Sequence, residues 1–126
     1  MTTNKYKMVI LRLNEMSTPI KKLTELLSGR LFDFKYKLAK DGASSTVTDQ
    51  KLNQNLLSPI RLEMRGEKDH RKEYLVFVVE GTDDLLVSMS DWKGVLDIEV
   101  KDGKEILITN YEGDWYLISI HTPNGK

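Results

Sequence analysis

The sequence predicts a single α+β domain: a mixed, mostly antiparallel sheet with an N-terminal β-α-β unit, one main helix and a C-terminal three-stranded meander. Three observations carry this expectation. An apolar strand pattern, a capped amphipathic stretch and an alternating strand follow one another between Tyr6 and Ala39. Two turn signals, Asp102-Gly103 and Glu112-Gly113-Asp114, separate three runs of alternating apolar residues near the C-terminus. Only one segment has a sustained helical stripe.

Tyr6–Leu13 reads as a strand, apolar on both faces from Met8 to Leu11 and therefore expected at the centre of a sheet. Ser17-Thr18-Pro19 is a helix start, with a hydroxyl at the cap and proline where its missing N–H costs nothing. Ile20, Leu23, Leu26 and Leu27 then form one apolar stripe, and Gly29 suits the left-handed position that ends a helix. In Leu31–Ala39, Phe32, Phe34, Tyr36 and Leu38 alternate with Asp33, Lys35 and Lys37, giving a half-buried strand. The helix is expected to carry the chain over so that its two flanking strands lie in parallel.

Residues 40–50, small and polar with a turn signal at Asp41-Gly42, read as an exposed loop, and Lys51–Leu57 as a short helix stopped before Pro59. Ile60, Leu62 and Met64 alternate with charges, so a strand follows. Residues 66–73 are so polar that they read as a second exposed loop. Tyr74–Val79 is a second strand apolar on both faces. Thr82-Asp83-Asp84 is expected to cap a short helix that turns Leu85, Leu86 and Met89 inward. The meander occupies Val95–Lys101, Lys104–Asn110 and Trp115–His121. Residues 1–5 and 122–126 are expected to fray. The predicted core is Ile10, Leu23, Leu27, Phe34, Val76, Val78, Ile98, Ile106 and Ile118.

The chain has 126 residues, 40% apolar and 30% charged, which suits one globular domain, 1–126, with a real core. It has no cysteine, which excludes disulfides and thiolate metal sites. Its longest apolar runs, Met8–Leu11 and Tyr74–Val79, are far too short to span a membrane, and its start has no signal-peptide pattern. A cytoplasmic location without membrane association is the expectation. The formal net charge is zero but unevenly spread. Residues 1–40 carry nine Lys/Arg against three acids, and residues 73–126 carry four against eleven. Such asymmetry suits either a solubilised single fold or a dipolar molecule with a partner-binding face.

No motif identifies an activated group. His70 sits in a charged loop and His121 at the end of the last strand, and no cluster of metal-ligand residues is legible around either. Glycines occur singly at turns, so no phosphate loop is present. The adjacent acids Asp83 and Asp84 read as a helix cap. No cofactor is expected.

These absences favour a non-enzymatic interaction protein that docks on a larger macromolecule, as an inhibitor, immunity-type or accessory factor does. The docking surface expected is the acidic, Trp-flanked hairpin region: Asp91, Trp92, Asp97, Glu99, Glu105, Glu112, Asp114 and Trp115. Its partner would be a protein, basic or itself nucleic-acid-binding. The alternative is nucleic-acid binding by the basic N-terminal unit through Lys21, Lys22, Arg30, Lys35 and Lys37. Against that alternative, Lys35 and Lys37 alternate with Phe34 and Tyr36 along the strand, so stacking groups and charges lie on opposite faces.

Overall fold

Asp102 and Gly103 both adopt positive φ, 55° and 65°, and Lys104 N–H closes the turn on the Lys101 carbonyl at 3.0 Å. The two-residue turn read from the sequence therefore forms. It fixes the register of the meander, around which the rest of the chain assembles. The computed structural model describes residues 5–10, 17–89 and 96–122. Among these lie one helix, α1 (Ser17–Leu27), and nine strands. The strands are β1 (Lys5–Ile10), β2 (Phe32–Lys37), β3 (Ser44–Gln50), β4 (Ile60–Arg65), β5 (Lys72–Phe77), β6 (Leu85–Ser88), β7 (Leu96–Lys101), β8 (Glu105–Asn110) and β9 (Trp115–Ile120).

The class is α+β, as expected, with strands in two sheets. A six-stranded sheet has the order β1-β7-β8-β9-β2-β3, and a three-stranded sheet the order β4-β5-β6. Every pairing among the described residues is antiparallel. β1 and β2 run in the same direction, but the whole meander is inserted between them. The connection that contains α1 therefore spans four inter-strand spacings, roughly 19 Å.

Sequence pattern and burial agree closely in the meander. Leu96, Ile98 and Val100 of β7, Ile106 and Ile108 of β8, and Tyr116, Ile118 and Ile120 of β9 are buried, with partly exposed residues between them. Leu75, Val76 and Phe77 are buried in succession in β5, as expected of a strand covered on both faces. Leu23 and Leu27 bring α1 into the same core, and Phe34 meets Phe77 of the other sheet edge-on at 6.1 Å. Of the predicted core, Leu23, Leu27, Phe34, Val76, Ile98, Ile106 and Ile118 are buried. Val78, just past the end of β5, is only half-buried, while the next residue, Val79, is buried. Ile10 lies outside the residues whose side chains are described.

Four segments differ from their reading. β1, expected at the centre of a sheet, lies at an edge and pairs with β7, because the meander fills the sheet on one side of it. Residues 44–50 form strand β3, not a loop, although Ser44–Asp49 are exposed. Thr-rich sequence fits a strand, but an edge strand with little to bury shows no apolar alternation. Residues 51–57 form no helix. Leu52 bridges to Val79, and Asn53 begins a turn in which its side chain accepts the Asn55 N–H. The Leu85–Ser88 stretch is a strand, not a helix: Leu85, Val87 and Met89 are buried alternately against the edge of β5. Residues 66–71 are the exposed loop expected of 66–73, with Lys72 and Glu73 already in β5. Lys5 likewise belongs to β1 instead of a frayed end.

Candidate functional site

The register places the predicted docking residues on two surfaces. Asp97 stands opposite Thr109, Thr109 opposite Trp115, and Trp115 opposite Lys37. In the next row Glu99, Leu107, Leu117 and Lys35 are aligned. Directly opposed residues of antiparallel strands share a face. This is the face turned away from the core. Asp97, Glu99, Glu105, Trp115, Lys35 and Lys37 therefore share it. The Lys35 ammonium lies 5.9 Å from the centre of the Trp115 ring. Stacking group and charge thus do meet on one face, through a tryptophan from a different strand. Asp97 and Glu99 are half-buried there, and Glu105 is exposed. Lys21 and Lys22 are exposed on α1, away from Leu23 and Leu27, and Arg30 is half-buried beyond its end. Asp91 and Trp92 lie outside the described residues.

Glu112 and Asp114 belong elsewhere. Their turn leads into a cleft of about 1030 Å³ at one side of the molecule, between the β2–β3 hairpin and β5–β6. Asp114 is not a surface acid. It is buried, and its carboxylate accepts the Ala39 N–H at 2.7 Å and the Asn110 side-chain amide at 2.9 Å. Asn110 returns the favour through its own oxygen, which accepts the Asp114 and Glu112 N–H groups. Asn110 also donates to the Ser88 carbonyl at 2.9 Å, and Ser88 N–H donates to the Tyr116 hydroxyl at 3.1 Å. These bonds hold the two sheets together at the base of the cleft. Burial, with the Asp114 charge nearby, pushes the Tyr116 hydroxyl up to about 12 against the opposing Ser88 hydrogen bond, so it stays neutral.

The cleft has an aromatic interior. Phe34, Tyr36, Tyr74 and Tyr116 line it, and Tyr36 lies 6.4 Å from Phe34 and 6.2 Å from Tyr116 between ring centres. Leu38, Val47, Leu85 and Leu86 add apolar wall. Five acids line it as well, Asp41, Asp83, Asp84, Glu112 and Asp114, against two lysines, Lys40 and Lys72. Asp84 is engaged by Arg65 at 2.6 Å, and Arg65 is shared with Glu63. Asp83 and Glu112 are exposed at the mouth. Aromatic faces and carboxylates together attract a cation that carries apolar stem. Nothing in the sequence spacing flags this set: Tyr36 and Tyr74 read as apolar positions of their strands, and Asp83 as a cap.

A second cluster joins Asp33, Asp49 and His121. His121 Nε2 lies 2.8 Å from Asp33, and its Nδ1 lies 3.6 Å from Asp49. Their ligand-capable atoms all fall within 4.8 Å of one another. The Asp33 carboxylate also accepts the Asp49 N–H at 3.0 Å, at the register shift where Asp49 takes φ 57°. Burial opposes its charge, but that bond and His121 outweigh it and hold the Asp33 carboxyl below its ordinary range. The hydrogen bonds account for this arrangement, which ties the ends of β2, β3 and β9. His70 is exposed in its loop.

Among the described residues no helix is long and apolar enough to cross a membrane. Set against models of known protein families, curated proteins and solved structures, the chain matches none of them.

Proposed function

We propose that this chain is a small non-enzymatic interaction protein that docks on a larger protein partner by receiving a basic segment of it in the cleft between the two sheets. It would act as an inhibitor, immunity-type or accessory factor does. The observation that supports this reading is the lining of the cleft: Phe34, Tyr36, Tyr74 and Tyr116 inside, and five acids against two lysines around them. An arginine or lysine side chain suits such a lining, because its stem packs on rings while its charged end stays near carboxylates at the mouth. The test is calorimetry with an arginine-containing heptapeptide on the parent, on Asp83→Lys/Glu112→Lys, and on Asp97→Lys/Glu99→Lys/Glu105→Lys. The cleft variant is expected to lose about tenfold or more in affinity, and the sheet-face variant to bind like the parent. The reverse pattern favours the acidic hairpin face as the docking surface.

A second reading rests on Lys35, Lys37 and Trp115. These three share the outer sheet face, with Lys35 over the indole ring, and stacking plus charge on one face is what a single-stranded nucleic acid engages. Asp97, Glu99 and Glu105 on the same face oppose it. A salt-titrated assay with single-stranded DNA and RNA decides it. Affinity tighter than the roughly 10⁻⁴–10⁻⁶ M of non-specific association at physiological salt, lost in Lys35→Glu/Lys37→Glu, supports nucleic-acid binding.

A further inference from the structure

We infer that the basic segment enters as an added β-strand along the free edge of β3, with basic residues at alternate positions only. This rests on the cleft reading above and adds the backbone geometry. β3 is the last strand of the six-stranded sheet, and no strand pairs with its outer side among the described residues. Ser45 and Val47 of this strand form part of the cleft wall.

The hydrogen-bond pattern identifies which groups are offered. The Leu38 N–H donates to the Ala43 carbonyl at 2.8 Å, so the backbone of Leu38 and Ala43 faces across the β2–β3 ladder, as in a bonded position. Bonded and non-bonded pairs alternate along an antiparallel ladder. Tyr36–Ser45 and Phe34–Val47 are then bonded pairs. The backbone groups of Ser44 and Thr46 consequently point to the free edge. Beyond them the edge closes: the Thr48 carbonyl accepts the Gln50 side-chain amide at 2.9 Å, and the Asp49 N–H is taken by Asp33.

Both edges of the three-stranded sheet are defended in the ways edge strands ordinarily are. β4 carries the ion-paired Arg61, Glu63 and Arg65. The outward groups of Ser88 in β6 are consumed by Tyr116 and Asn110. β3 has no lysine and no proline, and no charge before Asp49, although Ser44–Asp49 are exposed. An exposed strand edge free of charge and proline from Ser44 to Val47, beside an acidic aromatic cleft, suits addition of a peptide strand.

Alternation then dictates the ligand's sequence. Residues of the added strand opposite Ser45 and Val47 turn their side chains into the cleft, toward Tyr36 and the acids. Residues opposite Ser44 and Thr46 turn to the outer face, where Lys37 and Lys35 are the register neighbours. Basic residues are therefore favoured at every second position and repelled between.

The test uses the intact chain and two heptapeptides of identical composition. One is Thr-Arg-Thr-Arg-Thr-Arg-Thr, and the other has its three arginines contiguous. The alternating peptide is expected to bind about tenfold tighter or better. Thr46→Pro removes an edge-facing N–H while sparing the bonds to β2, and is expected to abolish that preference while the fold persists. N-methylation of one alternate set of peptide amides is expected to abolish binding and of the other set to leave it, which serves even if the proline variant fails to fold. Equal binding of the two peptides, or of both methylated sets, overturns strand addition. If binding still depends on Asp83 and Glu112 in that event, the cleft reading survives. A parent that binds neither peptide overturns both. A concentration-dependent dimer abolished by Thr46→Pro would place a second copy on this edge and overturn the peptide as its occupant.

Discussion

The carboxylate of Asp114 accepts the backbone N–H of Ala39 at 2.7 Å, joining the last turn of the meander to the β2–β3 hairpin. The bond crosses 75 residues of sequence and sets the end wall of the cleft. Removing the carboxylate leaves the Ala39 N–H and one Asn110 amide proton without their acceptor. Asp114→Ala is therefore expected to cost about 2–3 kcal/mol in urea unfolding, and Asp114→Asn less, because it keeps one acceptor oxygen. Peptide binding should weaken in both.

The Asp102-Gly103 turn gives a prediction free of packing effects. A side chain at Gly103 meets no atom within 4 Å, so only backbone conformation opposes it. Gly103→Val is expected to cost at least about 1–2 kcal/mol, and Gly103→Asn much less, because Asn tolerates positive φ. Thermal melting of the pair checks this. A valine variant as stable as its parent contradicts the turn.

Leu23 is buried in the joint core although α1 is the only helix among the described residues. Leu23→Ala is expected to cost about 2–5 kcal/mol, measured by the denaturant midpoint at unchanged slope. A loss below about 1 kcal/mol would mean that the stripe on α1 adds little to the core.

Acid sensitivity follows from Asp33. Its carboxyl is held below the ordinary range in the folded chain, so it binds fewer protons there than when unfolded. Its contribution to stability is present above the unfolded carboxyl range, around pH 4, and is lost as pH falls through the lowered folded value. His121→Ala removes one of the groups that favour the charged form and should raise the Asp33 midpoint. Carboxyl-detected NMR titration of Asp33 in both proteins measures it. An unmoved midpoint contradicts the His121–Asp33 coupling.

The parts of this fold legible in the sequence are those where one residue's environment is set by its immediate neighbours. Gly103 demands a turn, and the alternation of Ile106 and Ile108 announces a covered face. What stayed illegible depends on partners distant in the chain. Four residues at Leu85–Ser88 satisfy a helical and a strand spacing alike, and only the edge of β5 decides between them. Ser44–Gln50 buries almost nothing, so it sends no periodic signal. Lys35 and Trp115 share a face only through the register of β2 on β9, and Asp33 meets His121 across 88 residues. The cleft is of the same kind, since its aromatic walls come from strands of both sheets.

Chemical-shift mapping of the alternating arginine peptide on the isotope-labelled chain tests the central claim most directly. Binding in the cleft predicts perturbed amides along Ser44–Val47, at Tyr74, around Asp83–Ser88 and at Glu112–Tyr116, with the outer-face rows at Glu105, Leu107 and Ser119 unmoved. Perturbations confined to those outer-face rows, or none at a peptide excess that saturates non-specific association, would contradict it.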